Sequence, residues 1–177
     1  MRDAGCEEIR YGIESASMEV LRQIGKGTDL FQIDTAVRMT KQAGIAASAF
    51  FMFGCPGETR ETIRETIAFA RRLRPFYAVF TLAVPAPGSH LFDGLSAHVK
   101  NRLNDRFDTL CADSPLCPLS SEELTDSIRT AYRSFYGSIS FAGEFLRWSW
   151  RRPVRGLRVL ALLARAGGDL VGTKRGS

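Results

Sequence analysis

The stretch FFMFGCPGET, Phe50 to Thr59, is an apolar run that breaks into glycine, proline and a carboxylate just before a segment of helical periodicity. With the residues before it, Ile45 to Phe53 is nearly continuous in Ala, Phe and Met. Such a run suits a strand covered on both faces, as in a parallel sheet. The segment after it, Thr59 to Leu73, places Ile63, Ile67, Ala70 and Leu73 on one helical stripe. Glu58 and Glu61 lie near its N-terminus and Arg71, Arg72 and Arg74 near its C-terminus, as the helix dipole favours. Pro75 then stops it.

The same alternation extends in both directions. Glu7 to Glu14 puts Ile9, Tyr11 and Ile13 on one face and Arg10, Gly12 and Glu14 on the other, which predicts a strand with one apolar side. Ser17 to Gly25 opens on an N-cap and closes on a glycine, and Leu30 to Ala43 repeats the helical spacing before Gly44. Downstream, Phe76 to Val84 reads as a third strand ending in Pro85-Ala86-Pro87-Gly88. The order strand, helix, strand, helix, strand predicts right-handed parallel crossovers of the α/β class. Asn101 to Ser121 reads as irregular and Ser121 to Tyr136 as a capped amphipathic helix, with Phe141 to Trp150 and Pro153 to Ala166 also helical.

Composition bounds the function. The 177 residues, 45% hydrophobic and 24% charged, are those of an ordinary folded chain. The net charge of +5 is unevenly spread, because residues 1–144 hold 16 of the 24 Lys and Arg but 18 of the 19 Asp and Glu. They carry a net −2, and residues 145–177 carry +7. A nucleic-acid face on the main body is therefore not expected, since phosphate binding needs cations clustered along a groove. Cys6, Cys55, Cys111 and Cys117 form no C-x-x-C pair, so neither a zinc ribbon nor a self-contained cluster site is expected. The first residues have no apolar signal core, so a reducing, cytoplasmic setting is expected. In the tail, Arg151, Arg155, Arg158 and Arg165 share one side of a helix behind Trp148 and Trp150. That pattern fits either an anionic membrane surface, with a peripheral location, or a packed helix with a solvated arginine face.

In open parallel sheets and barrels, ligands bind beyond the carboxyl ends of the strands. Three such ends are present. Gly12-Ile13-Glu14-Ser15-Ala16-Ser17 offers a carboxylate that can accept from a ribose or an ammonium group, with hydroxyls beside it. Gly54 and Gly57 permit close approach to the main chain. Val84 to Ser89 forms a rigid loop on another side. Each taken alone is equally a strand-to-helix turn.

Together, their order and spacing resemble the radical S-adenosylmethionine (SAM) enzymes, particularly the group that often carries an N-terminal cobalamin-binding domain. The residues concerned are A-G-C-x-x-I-x-x-G-I-E-S-A-S from Ala4, Lys26-Gly27, F-F-M-F-G-x-P-G-E-T from Phe50, and P-x-P-G-S from Pro85. The resemblance covers about residues 1–92. It implies a partial (β/α)6 barrel that binds a [4Fe-4S] cluster and SAM, and reductive cleavage of SAM for radical chemistry or methyl transfer. It further implies that Glu14 and Ser15 lie at the SAM ribose, that Phe53, Gly54 and Gly57 lie beside the adenosyl part, and that Pro85 and Pro87 lie in the turn after the last barrel strand.

The departure from that family is equally specific. The C-x-x-x-C-x-x-C triad that holds the cluster is absent, and so is the segment that binds the methionyl amino group. The expected architecture is thus the C-terminal half of the barrel, about three parallel strands with helices, followed by a helical extension. Its divisions fall at residues 1–98, 99–120 and 121–177. The expected function is that of a radical SAM enzyme fragment, inactive alone, with no catalytic or metal-binding residue of its own. Its expected partners are a missing N-terminal half or an upstream cobalamin-binding domain. The alternative is a non-catalytic binding or membrane-surface module that retains half of the barrel.

Overall fold

A computed structural model describes residues 1–95, 97, 100, 116–138, 141 and 143. After a single 3-10 turn, Arg2–Ala4, the chain runs β1 (Glu8–Glu14), α1 (Met18–Gln23), α2 (Leu30–Gln42), β2 (Ala46–Phe53), α3 (Arg60–Leu73), β3 (Tyr77–Leu82), the short α4 (His90–Asp93) and α5 (Ser121–Tyr136). The strands form one parallel sheet in the order β1-β2-β3. The apolar run at Phe50 is its central strand, pairing Phe50 with Gly12 on one side and Val79 on the other. This is the mixed α/β arrangement expected from the sequence, consistent with part of a radical SAM barrel.

Local chemistry sets the helix boundaries. Ser17 caps α1 by accepting from Val20 N, and Asp29 and Gln32 form a reciprocal capping box on α2. Thr59 with Thr62 and Ser120 with Glu123 do the same for α3 and α5. Before Pro75, which disfavours a further helical residue, α3 ends at Arg74 in the left-handed region, φ 50°. Lys41 Nζ bonds the Arg74 carbonyl at 2.8 Å, tying the ends of α2 and α3 together.

Helices α2 and α3 pack on one face of the sheet. Ala47, Ala49, Phe51 and Phe53 of β2 are fully buried there, with Ile13, Ala78 and Phe80 from its neighbours and Ile33, Val37, Ile63, Ile67 and Leu73 from α2 and α3. Phe51 stacks on Phe80 with centroids 5.2 Å apart. Burying each of these rings stabilises the fold by about 1.5–3 kcal/mol. Among the described residues, cover is complete on this face of the second strand and partial on the other, where Ser48 is fully buried and Met52 packs near Val20 and Cys55. Right-handed crossovers from a sheet of one sense deliver their helices to the same side, so Phe50 and Met52 on the opposite face remain half-buried among the described residues.

α5 belongs to the same core, through Leu124, Ala131 and Phe135. It also meets the outer edge of β3. Tyr136 hydroxyl accepts from Ala78 N at 3.2 Å and donates to Ala78 O at 2.8 Å. One turn earlier, Tyr132 hydroxyl accepts from Phe80 N at 3.2 Å and donates to Phe80 O at 3.3 Å. Two phenols spaced i, i+4 thus occupy the alternate main-chain groups that a neighbouring strand would take. Burial pushes the Tyr136 phenol well above its usual range, so both bonds persist at ordinary pH. The irregular linker up to residue 115, most of Phe141 to Trp150 and all of the basic tail lie outside the described residues.

Candidate functional site at the carboxyl ends of the strands

The first strand ends on a backbone irregularity. Register with β2 shifts between Gly12 and Glu14, and Glu14 has φ 70°, a left-handed conformation that costs a side-chain-bearing residue on the order of 1 kcal/mol. Its carboxylate folds back toward Gly12, where a Cβ would lie only 2.5 Å from Glu14 Oε1. Any side chain at position 12 would therefore displace the carboxylate from this place. Lys26 Nζ reaches over from the α1–α2 loop, donating to Gly12 O at 2.5 Å and to Glu14 Oε1 at 3.2 Å. The pair is largely sheltered, with side chains 30% and 18% exposed.

Ser15, the next predicted residue, turns inward. It is fully buried, its Oγ lies 3.3 Å from Thr66 Oγ1 of α3, and it accepts from Ser17 N. Thr66 also accepts from Ala16 N at 2.9 Å, so this pair of hydroxyls fastens the turn after β1 to α3.

The second end is FGCPGE. The Phe53 side chain lies in the core against Phe80, so what this residue offers at the mouth is main chain. Gly54 and Gly57 have φ of 88° and 74°. Glu58 is fully buried and closes the turn, its Oε2 accepting from Gly54 N at 2.5 Å and Cys55 N at 3.1 Å. Oε1 is buried with no hydrogen bond among the described residues. Burial pushes this carboxyl up to about 7, against the two N–H donors that pull it down. The adjacent Cys55 thiol is driven far above the usual range by burial, and further by the charges of Glu58 and Glu14. It is inert as a nucleophile.

At the third end, Pro85 is buried and Pro87 exposed. Ser89 Oγ donates to Ala86 O and accepts from Phe92 N, which starts α4. The three ends converge: Val20 of α1, Cys55 and Ala83 form a small buried cluster, with Ile24, Met52 and Leu116 packed against it. Ala83 N bonds Phe53 O at 2.8 Å. A Cβ at Gly57 would meet Gln23 Nε2 of α1 at 2.5 Å, so the second loop lies directly against the first helix.

Of the sequence-predicted residues, the structure brings Glu14, Gly54, Gly57 and Pro85 to one end of the sheet and turns the Ser15 hydroxyl and the Phe53 ring into the interior. The larger role of Lys26, the Glu58 staple and the Thr66 link went unread. A lysine between two glycines, and a carboxylate directly after an apolar strand and a glycine turn, are the signals that point to the first two. A mid-helix threonine carries no such signal.

The donor set can be tested against the groups the resemblance implies. An anionic acceptor at a sheltered mouth, beside glycine-lined main chain, fits a ribose and an adenine ring. For a [4Fe-4S] cluster, which thiolates hold, the sequence has no C-x-x-x-C-x-x-C, and among the described residues no three Cys, His, Asp or Glu side chains converge. Nor is any described helix long and apolar enough to cross a membrane.

Residues 1–70 match the family model described as the radical SAM superfamily. Similar curated proteins include an uncharacterized methyltransferase of Pyrococcus horikoshii, 38% identical over 77% of this chain and 30% of that protein. An anaerobic magnesium-protoporphyrin IX monomethyl ester cyclase of Rubrivivax gelatinosus is 29% identical over 79% of this chain and 25% of that protein. A bacteriochlorophyllide d C-12(1)-methyltransferase of Chlorobaculum tepidum is 26% identical over 83% of this chain and 33% of that protein. The chain thus spans a quarter to a third of the length of these relatives.

Proposed function

Since the chain belongs to the radical SAM superfamily, we propose that its three strand ends form the adenosyl-binding wall of an enzyme that reductively cleaves SAM. The observation that carries this reading is Glu14, a carboxylate held in a strained conformation at the mouth of the sheet beside the Gly54–Gly57 loop. Strained residues of this kind cluster at ligand-binding positions. In this reading Glu14 accepts from ribose hydroxyls, and the main chain of the Gly54–Gly57 loop lies along the adenine.

The chain supplies binding and orientation. The cluster and the site for the methionyl end come from protein outside these 177 residues, which makes the chain a fragment of the working enzyme and inactive by itself. Similar proteins are named as methyltransferases and a cyclase, which supports methyl transfer and other radical chemistry as the two candidate reaction types. Cobalamin belongs to this reading only as a cofactor of the whole enzyme, and no described residue is assigned to it.

The test is a calorimetric titration of the full 177-residue chain with S-adenosylhomocysteine, which carries the same adenosyl group. Saturable binding that Glu14→Ala weakens at least tenfold is the expected result; no binding by the native chain would refute it. Anaerobic treatment with iron and sulfide followed by EPR tests the second part. A stoichiometric [4Fe-4S] signal from this chain alone would overturn the fragment reading.

A further inference from the structure

The left-handed Glu14 persists only if its surroundings over-determine it. Among the described residues the group placed to do so is Lys26. Its position is itself set by glycine, with Gly25 at φ 72° on one side and Gly27 on the other, so the lysine stands on a short loop between α1 and α2. From there a single ammonium spans the register shift. It holds the Gly12 carbonyl before the shift at 2.5 Å and the Glu14 carboxylate after it at 3.2 Å.

We infer that Lys26 is the positioning residue of the site: by clamping Gly12 O and Glu14 Oε1 together, it fixes the carboxylate at the mouth with Oε2 left to accept from a ligand hydroxyl. Three features of the structure agree with that role. Lys26 satisfies one carboxylate oxygen only, and no hydrogen bond to Oε2 is made among the described residues. Sheltering of both side chains strengthens the pairing relative to a fully exposed one. The absence of a side chain at Gly12 leaves room for the carboxylate, since a Cβ there would crowd Glu14 Oε1 at 2.5 Å while only touching Lys26 Nζ at 3.4 Å. Lys26 thus acts through Glu14 and need not touch the ligand.

This inference rests on the proposed adenosyl site, and the experiment separates the two. Isotope-labelled full-length chain, native and as Lys26→Met, Lys26→Arg and Lys26→Met/Glu14→Gly, is examined by NMR without ligand and then titrated with S-adenosylhomocysteine. The native chain is expected to show a strong intraresidue Hα–HN contact at Glu14, the mark of a left-handed residue. Lys26→Met loses that contact and binds about tenfold more weakly, the scale of one charged hydrogen bond. Lys26→Arg, which keeps charge and donors, recovers the contact and most of the affinity. Glycine at position 14 takes a positive φ freely, so the double variant regains the β1 amide shifts of the native chain. Amide dispersion of Ala47 to Phe53 reports whether each variant keeps its sheet.

Retention of the Glu14 contact and of native affinity in Lys26→Met would overturn the inference. If the native chain does not bind S-adenosylhomocysteine, the proposed function fails, and the inference fails with it as a statement about a ligand site. The Glu14 contact alone then decides whether Lys26 sets the backbone.

Discussion

Replacing Glu58 by glutamine should remove most of a pH dependence of stability that the native chain shows between about pH 4.5 and 7. The carboxyl is fully buried, and one of its oxygens has no partner among the described residues. Its folded-state value is raised from 4.5 to about 7, with burial outweighing the bonds from Gly54 N and Cys55 N. A raised folded value means that the native state binds the proton more tightly than the unfolded chain. The stabilisation is therefore fully present below about 4.5 and is lost as the pH rises through about 7. A shift of that size corresponds to roughly 3 kcal/mol, a large share of the 5–15 kcal/mol typical of a domain. Urea unfolding followed by far-UV circular dichroism, repeated from pH 4.5 to 8.5, measures it. The native chain should lose on the order of 3 kcal/mol across that window, whereas Glu58→Gln stays nearly level and equals or exceeds it at pH 8. Parallel profiles for the two proteins, or a native chain that gains stability from pH 5 to 8, would refute the reasoning.

Three further outcomes follow from the same geometry. Tyr136→Phe removes bonds to both Ala78 N and Ala78 O and should cost about 1–2 kcal/mol, seen together with faster hydrogen exchange at the Ala78 amide; unchanged exchange there would count against the contact. Thr66→Val strips the acceptor from the buried Ala16 N and should destabilise by about 1–3 kcal/mol, whereas Thr66→Ser, which keeps the oxygen, should recover much of this in the same unfolding assay. Gly12→Ala drives a methyl against Glu14 Oε1 and should weaken S-adenosylhomocysteine at least tenfold with a smaller change in melting temperature; native affinity in that variant would mean that the carboxylate is not where the ligand binds.

The three strands and the four longer described helices were legible because each is written locally. Alternation in Glu7 to Glu14, an apolar run before Gly54, and caps at Ser17, Thr59 and Ser120 each specify an element without help from elsewhere. The mouth was legible because strand ends in a parallel sheet collect at one side. What escaped depends on which way a side chain turns. Ser15 follows a left-handed residue, and that single backbone reversal sends its hydroxyl toward Thr66, fifty-one positions away. Phe53 shares a strand face with Phe51, and that face is the one the helices cover. Glu58 reads as a solvated helix-start acid, yet the turn that Gly54 and Gly57 permit folds it under the loop.

The tyrosine contacts along β3 bear on how the molecule meets other chains. A sheet edge with free amides recruits whatever extended peptide it encounters, and here α5 has placed two phenols as bolts across one of the two edges. Among the described residues β1 forms the other edge of the sheet, on the side opposite α5. Drawing both bolts with Tyr132→Phe and Tyr136→Phe would give the sheet a second adhesive border, and with it a route to stacking end over end.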